Sequence, residues 1–208
     1  MLRSKFAFPF AAFLLVFVAW QPAHAFVVRI TPPPRSLFLQ VGTGTMTGGS
    51  FNSGGTPGDN ATINSVSVTV PAASVGAGVL NMATDSTVTD SSYNNRAFCS
   101  VPAEVYVGGF YRAPGPPTNA TLSVTSPAVL SNGAGDTLAF NTISWVSGGI
   151  GDSPATLASG TFSGSPQTLY IAARSTWFES CLAFNYANAA LAPSGTFTGR
   201  VTYTLTAP

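Results

Sequence analysis

The stretch that decides the fold is the last one, "GTFTGRVTYTLTAP", Gly195 to Pro208. Phe197, Val201, Tyr203 and Leu205 share one parity, with Gly199 between them. Thr196, Thr198, Arg200, Thr202, Thr204 and Thr206 share the other. A strand turns successive side chains to opposite faces, so this segment has an apolar face and a threonine face. A full apolar parity is costly to leave in water. The segment is therefore expected to be an internal, hydrogen-bonded strand with Tyr203 and its partners on the core and the threonines outside.

The same grammar recurs upstream, and helical periodicity does not. "INSVSVTVPA", Ile63 to Ala72, alternates Val66, Val68 and Val70 with Ser65, Ser67 and Thr69. "CSVPAEVYVGGFY", "ATLSVTSPAVL", "QTLYIAARS" and "SCLAFNY" read as further strands. In "DTLAFNTISWVS" the apolar parity switches after Phe140, which predicts a bulge near Asn141 and Thr142. Asn132-Gly133 predicts a tight hairpin. Gly42 to Asn60, rich in Gly, Ser and Thr, reads as a long loop. The fold class is all-β: an antiparallel two-sheet sandwich, immunoglobulin-like or jelly-roll-like, with one disulfide.

The start of the chain has a different character. Arg3 and Lys5 precede the apolar run Phe6 to Trp20, and Ala23-His24-Ala25 is a small-x-small cleavage site. This is a signal peptide over residues 1–25. Its apolar run is shorter than the roughly 20 residues a membrane span needs. What remains is expected to be one domain over 26–208, exported to the periplasm, cell surface or extracellular space, with no membrane span.

Removal of the leader takes away both lysine and histidine, since His24 is the single histidine of the chain. Histidine-dependent nucleophiles, acid–base pairs and zinc sites go with it. The arginines left, Arg29, Arg35, Arg96, Arg112, Arg174 and Arg200, nearly balance seven acids. They form no basic stripe, so no nucleic-acid partner is expected. No cofactor is expected either.

Cys99 and Cys181 are the two cysteines, and in an exported chain the pair reads as a disulfide. Buried free thiols are the alternative. Glu104 and Glu179, the glutamates, are the pair that a glycoside hydrolase would need. If the disulfide points into the core, parity turns Glu179 inward and Glu104 outward, so no catalytic residue is assigned. Asp85, Asp90, Asn94 and Asn95 offer calcium-type oxygens, but loop polarity accounts for them as well, and no metal site is assigned. Trp145 sits inside a strand pattern and reads as core. Trp177 and Tyr111 are the candidates for a sugar-binding platform.

Phe26, Val28 and Ile30 alternate with Val27, Arg29 and Thr31 ahead of three prolines. The prolines make a stiff spacer of roughly 9 Å, at about 3.1 Å per residue. A short apolar strand set off in this way, an extension over 26–34, is a candidate subunit-contact strand.

These features together resemble bacterial fimbrial, pilin-like subunits. Within them they look like the group that includes spore coat protein U, chiefly through the closing strand with Cys181 upstream. The resemblance implies an immunoglobulin-like fold with an incomplete sheet, capture by a periplasmic chaperone and polymerisation by strand donation. The expected function is a non-enzymatic structural or adhesive surface subunit, whose partners are its own copies or other surface subunits. A secreted carbohydrate-binding module with a glycan partner is the alternative, and a small glycoside hydrolase the third reading.

Overall fold

A computed structural model describes residues 35–208. The expected signal peptide, residues 1–25, and the candidate contact strand Phe26, Val28 and Ile30 lie outside the described residues.

Two antiparallel sheets carry the core. The larger has the spatial order Ser36–Val41, Glu104–Arg112, Thr176–Tyr186, Ile143–Gly148, Gly160–Thr161. The short strand Leu80–Asn81 also pairs with Thr176–Tyr186. The smaller has the order Gln167–Ala173, Asn119–Thr125, Thr202–Thr206. Their inner faces supply one core. Val105, Val107, Tyr111, Trp145, Phe178, Leu182 and Phe184 come from the larger sheet, and Ala120, Leu122, Val124, Leu169 and Ala172 from the smaller. The expected all-β sandwich with one disulfide is the fold.

The closing strand behaves as its alternation dictates, with one difference. Val201, Tyr203 and Leu205 pack against the core, and Thr202, Thr204 and Thr206 are exposed. Within the described residues it is an edge strand rather than an internal one. Among the described residues it pairs only with Asn119–Thr125, from Thr202 opposite Thr125 to Thr206 opposite Thr121.

Other expectations change where local pattern met tertiary packing. The hairpin at Asn132-Gly133 forms, joining Val129–Ser131 to Thr137–Ala139, but through the longer turn 132–136 with Gly135 at positive φ, not through a tight two-residue turn. The parity switch after Phe140 is not a bulge. A 3-10 turn, Phe140–Thr142, carries the chain from that hairpin into the larger sheet. Of Ile63 to Ala72, only Val66–Ser67 pairs, with Ala83–Thr84. The Gly42 to Asn60 loop contains its own small hairpin, Thr45–Thr47 with Thr56–Gly58.

The larger sheet is apolar on both faces. Phe38, Tyr106, Phe110, Trp177 and Cys181 point outward, opposite to the main core. This follows from register, because Trp177 pairs with Phe110, Glu179 with Gly108 and Cys181 with Tyr106. A strap of chain, residues 86–99, lies over this outer face. Its Phe98 and Cys99 join Tyr106 and Cys181 in a second, smaller core.

Candidate functional site

Two places could carry function: the seam where the sandwich is open, and the cleft beside the strap.

The seam lies between two strand edges, Ser36–Val41 of the larger sheet and Thr202–Thr206 of the smaller. Each has one hydrogen-bonded neighbour among the described residues. A groove of about 270 Å³ opens there, lined in part by Phe38, Leu39, Val41 and Tyr203. Leu39, Val41 and Tyr203 also touch the main core, so the groove reaches down to it. Burial pushes the Tyr203 phenol well above its ordinary pKa. Backbone donors and acceptors face outward along the edge of a strand that stops pairing.

The cleft has a carboxylate in its wall. Glu179 Oε1 accepts from the Ser91 hydroxyl at 2.6 Å. Its Oε2 accepts from the Tyr106 hydroxyl at 2.7 Å and from the Trp177 indole N–H at 2.9 Å. All three donors are neutral. The Tyr106 ring lies flat along its own strand over Gly108. A Cβ at Gly108 would sit 2.4 Å from the Tyr106 hydroxyl, so glycine keeps that path clear. Burial first, and then the Glu179 charge, raise the Tyr106 pKa. The strap is tied down beside this group. Ser92 Oγ donates to Gln40 Oε1 at 2.8 Å, and the Ile150 N–H donates to the Phe98 carbonyl at 2.9 Å. Trp177 is boxed by Phe51 at 4.7 Å, and by Phe38 and Tyr93 each at 5.8 Å between ring centroids. The cleft itself, about 630 Å³, lies between the strap, the loop 150–156 and the strand segment 175–179.

Comparison with family models, with curated proteins and with solved structures finds no match.

The sugar platform inferred from sequence is corrected here. Trp177 and Tyr111 lie on paired strands but on opposite faces. Tyr111 pairs with Thr176, one residue away from Trp177, so parity sends its ring into the main core, fully buried. Its hydroxyl meets Thr118 Oγ1 at 2.7 Å. Trp177 remains half-exposed in the cleft wall. Trp145 is a core residue whose indole donates to the Ala158 carbonyl at 2.9 Å.

Cys99 and Cys181 are bonded. Their bond lies in the outer small core rather than between the two sheets. The parity argument for Glu104 fails for a related reason. A turn at residues 101–103 separates Cys99 from the strand, so counting from Cys99 gives the wrong face. Glu104 shares the outer face with Glu179. Its carboxylate takes the Ser100 N–H at 2.7 Å, and the Tyr106 ring stands on the strand between it and Glu179. Glu104 also approaches the disulfide, with ligand-type atoms of Cys99, Glu104 and Cys181 within 4.8 Å of one another. Sulfurs bonded to each other offer no thiolate to a metal.

Two of the calcium-type residues, Asp85 and Asn94, are turned to other uses. Asp85 accepts from the Asn64 amide at 2.9 Å and from the Ser65 hydroxyl at 2.7 Å, which hold its pKa below the ordinary value. Asn94 Oδ1 takes the Arg96 N–H at 3.1 Å. Among the described residues, no helix is long and apolar enough to cross a membrane.

Sequence reasoning missed Tyr93 as a neighbour of Trp177, and Ser91 and Tyr106 as partners of Glu179. The strap that brings the first two has no periodicity to flag it.

Proposed function

We propose that this chain is an exported, non-enzymatic structural subunit of a bacterial surface assembly, built by adding a strand from one copy to the sandwich of the next. The observation that carries this reading is the open seam. A groove lined by Leu39, Val41 and Tyr203, flanked by two strand edges that are singly paired among the described residues, fits an extended segment with apolar residues at every second position. Such a segment would take main-chain hydrogen bonds from an edge and place alternate side chains in the groove. The sequence supplies one: Phe26, Val28 and Ile30.

The prolines 32–34 favour donation to another copy. A hairpin back onto Ser36–Val41 needs a tight turn, and consecutive prolines favour an extended course instead. The resemblance to pilin-like subunits of the spore coat protein U group agrees with this reading, and extends it to capture by a periplasmic chaperone before assembly.

The test is deletion of residues 26–31, with a melting curve and a sizing or cross-linking assay on the same preparation. A truncated chain that folds and no longer associates supports the proposal. A truncated chain that cannot fold makes the segment an ordinary intramolecular strand. One that folds and associates as before removes strand donation altogether.

A further inference from the structure

The cleft beside the strap lies on a different part of the larger sheet from the seam and does not depend on the assembly reading. We propose that it binds a neutral saccharide, with Trp177 and Tyr93 together forming the aromatic wall on one side of the sugar and Glu179, Asp152, Asn94 and Arg96 around the hydroxyls.

The first argument is what the sheet presents there. On the closing strand the solvent face is threonine, the ordinary solution for a sandwich exterior. On the larger sheet the exterior carries Phe38, Phe110 and Trp177, half-buried and grouped around Phe51 and Tyr93. The strap covers part of this surface and leaves a concave opening of about 630 Å³ with an aromatic wall. Its lining is mixed, with aromatic rings beside convergent polar groups, which offer a small ligand both contact area and orientation.

The second argument is preorganisation. Trp177 cannot turn freely, because its indole N–H is held by Glu179 and its ring packs on Phe51. Glu179 is held by three donors, two on Oε2 and one on Oε1. A carboxylate has about four acceptor positions, so Oε1 retains one for a ligand hydroxyl. Groups fixed before the ligand arrives lose little freedom when it binds.

The third argument selects the ligand. Arg96 and Asn94 are exposed donors at the rim, while Glu179 and Asp152 are acceptors. An anion would meet two carboxylates, and a cation would meet the guanidinium. A ring with several hydroxyls can accept from Arg96 and donate to Glu179 at the same time. Its less polar faces suit an aromatic wall.

The experiment titrates the full, disulfide-intact chain with maltohexaose, cellohexaose and chitohexaose. Tetramethylammonium chloride serves as a cationic comparator. Heat is measured alongside the indole N–H signals in nitrogen-correlated spectra. The expected result is saturable binding of at least one hexasaccharide with Kd around 1 mM or tighter. The Trp177 signal should move, and the Trp145 signal should not. Arg96→Ala, at an exposed position that leaves the fold intact, should raise Kd about tenfold, and Glu179→Gln should do at least the same. The proposal is overturned if no hexasaccharide saturates, if the Trp177 signal stays still, or if Arg96→Ala binds like the parent chain. Tighter binding of tetramethylammonium than of any sugar overturns it in favour of a cation site. Cleavage of the oligosaccharide overturns it in favour of catalysis.

Discussion

The Tyr106 hydroxyl donates to Glu179 across the two central strands at 2.7 Å, on the face of the sheet turned away from the main core. Burial and the adjacent carboxylate both favour the neutral phenol, so its pKa rises above the ordinary 10.0. Tyr203, in the seam, rises for burial alone. A phenol of this kind stabilises the fold fully below its unfolded pKa, where both states hold the proton. Above that value the unfolded chain ionises first, and the contribution is lost as pH climbs toward the folded pKa. Urea denaturation at about pH 8 and about pH 11 should therefore show a marked loss of stability at the higher value. The loss should shrink in Tyr106→Phe and in Tyr203→Phe. An equal loss in the parent and both variants would assign the alkaline sensitivity to other groups.

Glycine at 108 leaves room for the Tyr106 ring to reach Glu179. Gly108→Ala places a Cβ against the phenol and should push it off the carboxylate. The cost should be about 2 kcal/mol or more, combining overpacking with a broken hydrogen bond to a charged group. Gly133→Ala, in a hairpin turn where a Cβ meets nothing within 4 Å, is the control and should change stability by less than about 0.5 kcal/mol. Equal melting temperatures for the two would refute this account of Gly108.

The disulfide fastens the strap to the outer face. Replacing Cys99 and Cys181 by Ser should destabilise the chain by about 2–5 kcal/mol. Hydrogen exchange gives the sharper reading. The largest gain should fall on residues 86–99 and on Ile150, whose amide is held by the Phe98 carbonyl. A uniform gain across both sheets would mean that the bond supports the sandwich and not the strap.

Tyr203→Asp puts a charge where the closing strand meets the core and should cost about 3 kcal/mol or more, enough to unfold a marginal domain. Arg200→Ala, exposed and on the other parity, should stay within about 0.5 kcal/mol. Denaturant midpoints that fall in the reverse order would show that the strand carries little of the fold.

The closing strand was legible because one of its faces is polar, so a two-residue period survives in its letters. Trp145 was legible for a similar reason, at an apolar position of an alternating run. The central strands hide their orientation. "EVYVGGFYR" and "TWFESCLAFNY" are apolar on both sides because a second small core covers the outer one. Whether Tyr111 and Trp177 share a face then depends on register between strands, which no local pattern carries. The turn at residues 101–103 adds a second obstacle, since parity counted across it from Cys99 to Glu104 has no meaning. The edge position of the closing strand was also out of reach, because alternation reports burial of a face and not the presence of a neighbour.

The placement of Cys181 makes the covalent bond a gauge of strand registry. Ser180 and Cys181 are neighbours in sequence, yet Ser180 faces the main core and reaches the Leu157 amide, while Cys181 faces the strap. Sliding that strand by one position would exchange the two, hiding the thiol between the sheets where Cys99 cannot meet it. An oxidised chain has therefore set this strand with its correct face toward the strap. A compartment that retains reduced molecules would, by that chemistry alone, hold back those whose sheet is misaligned.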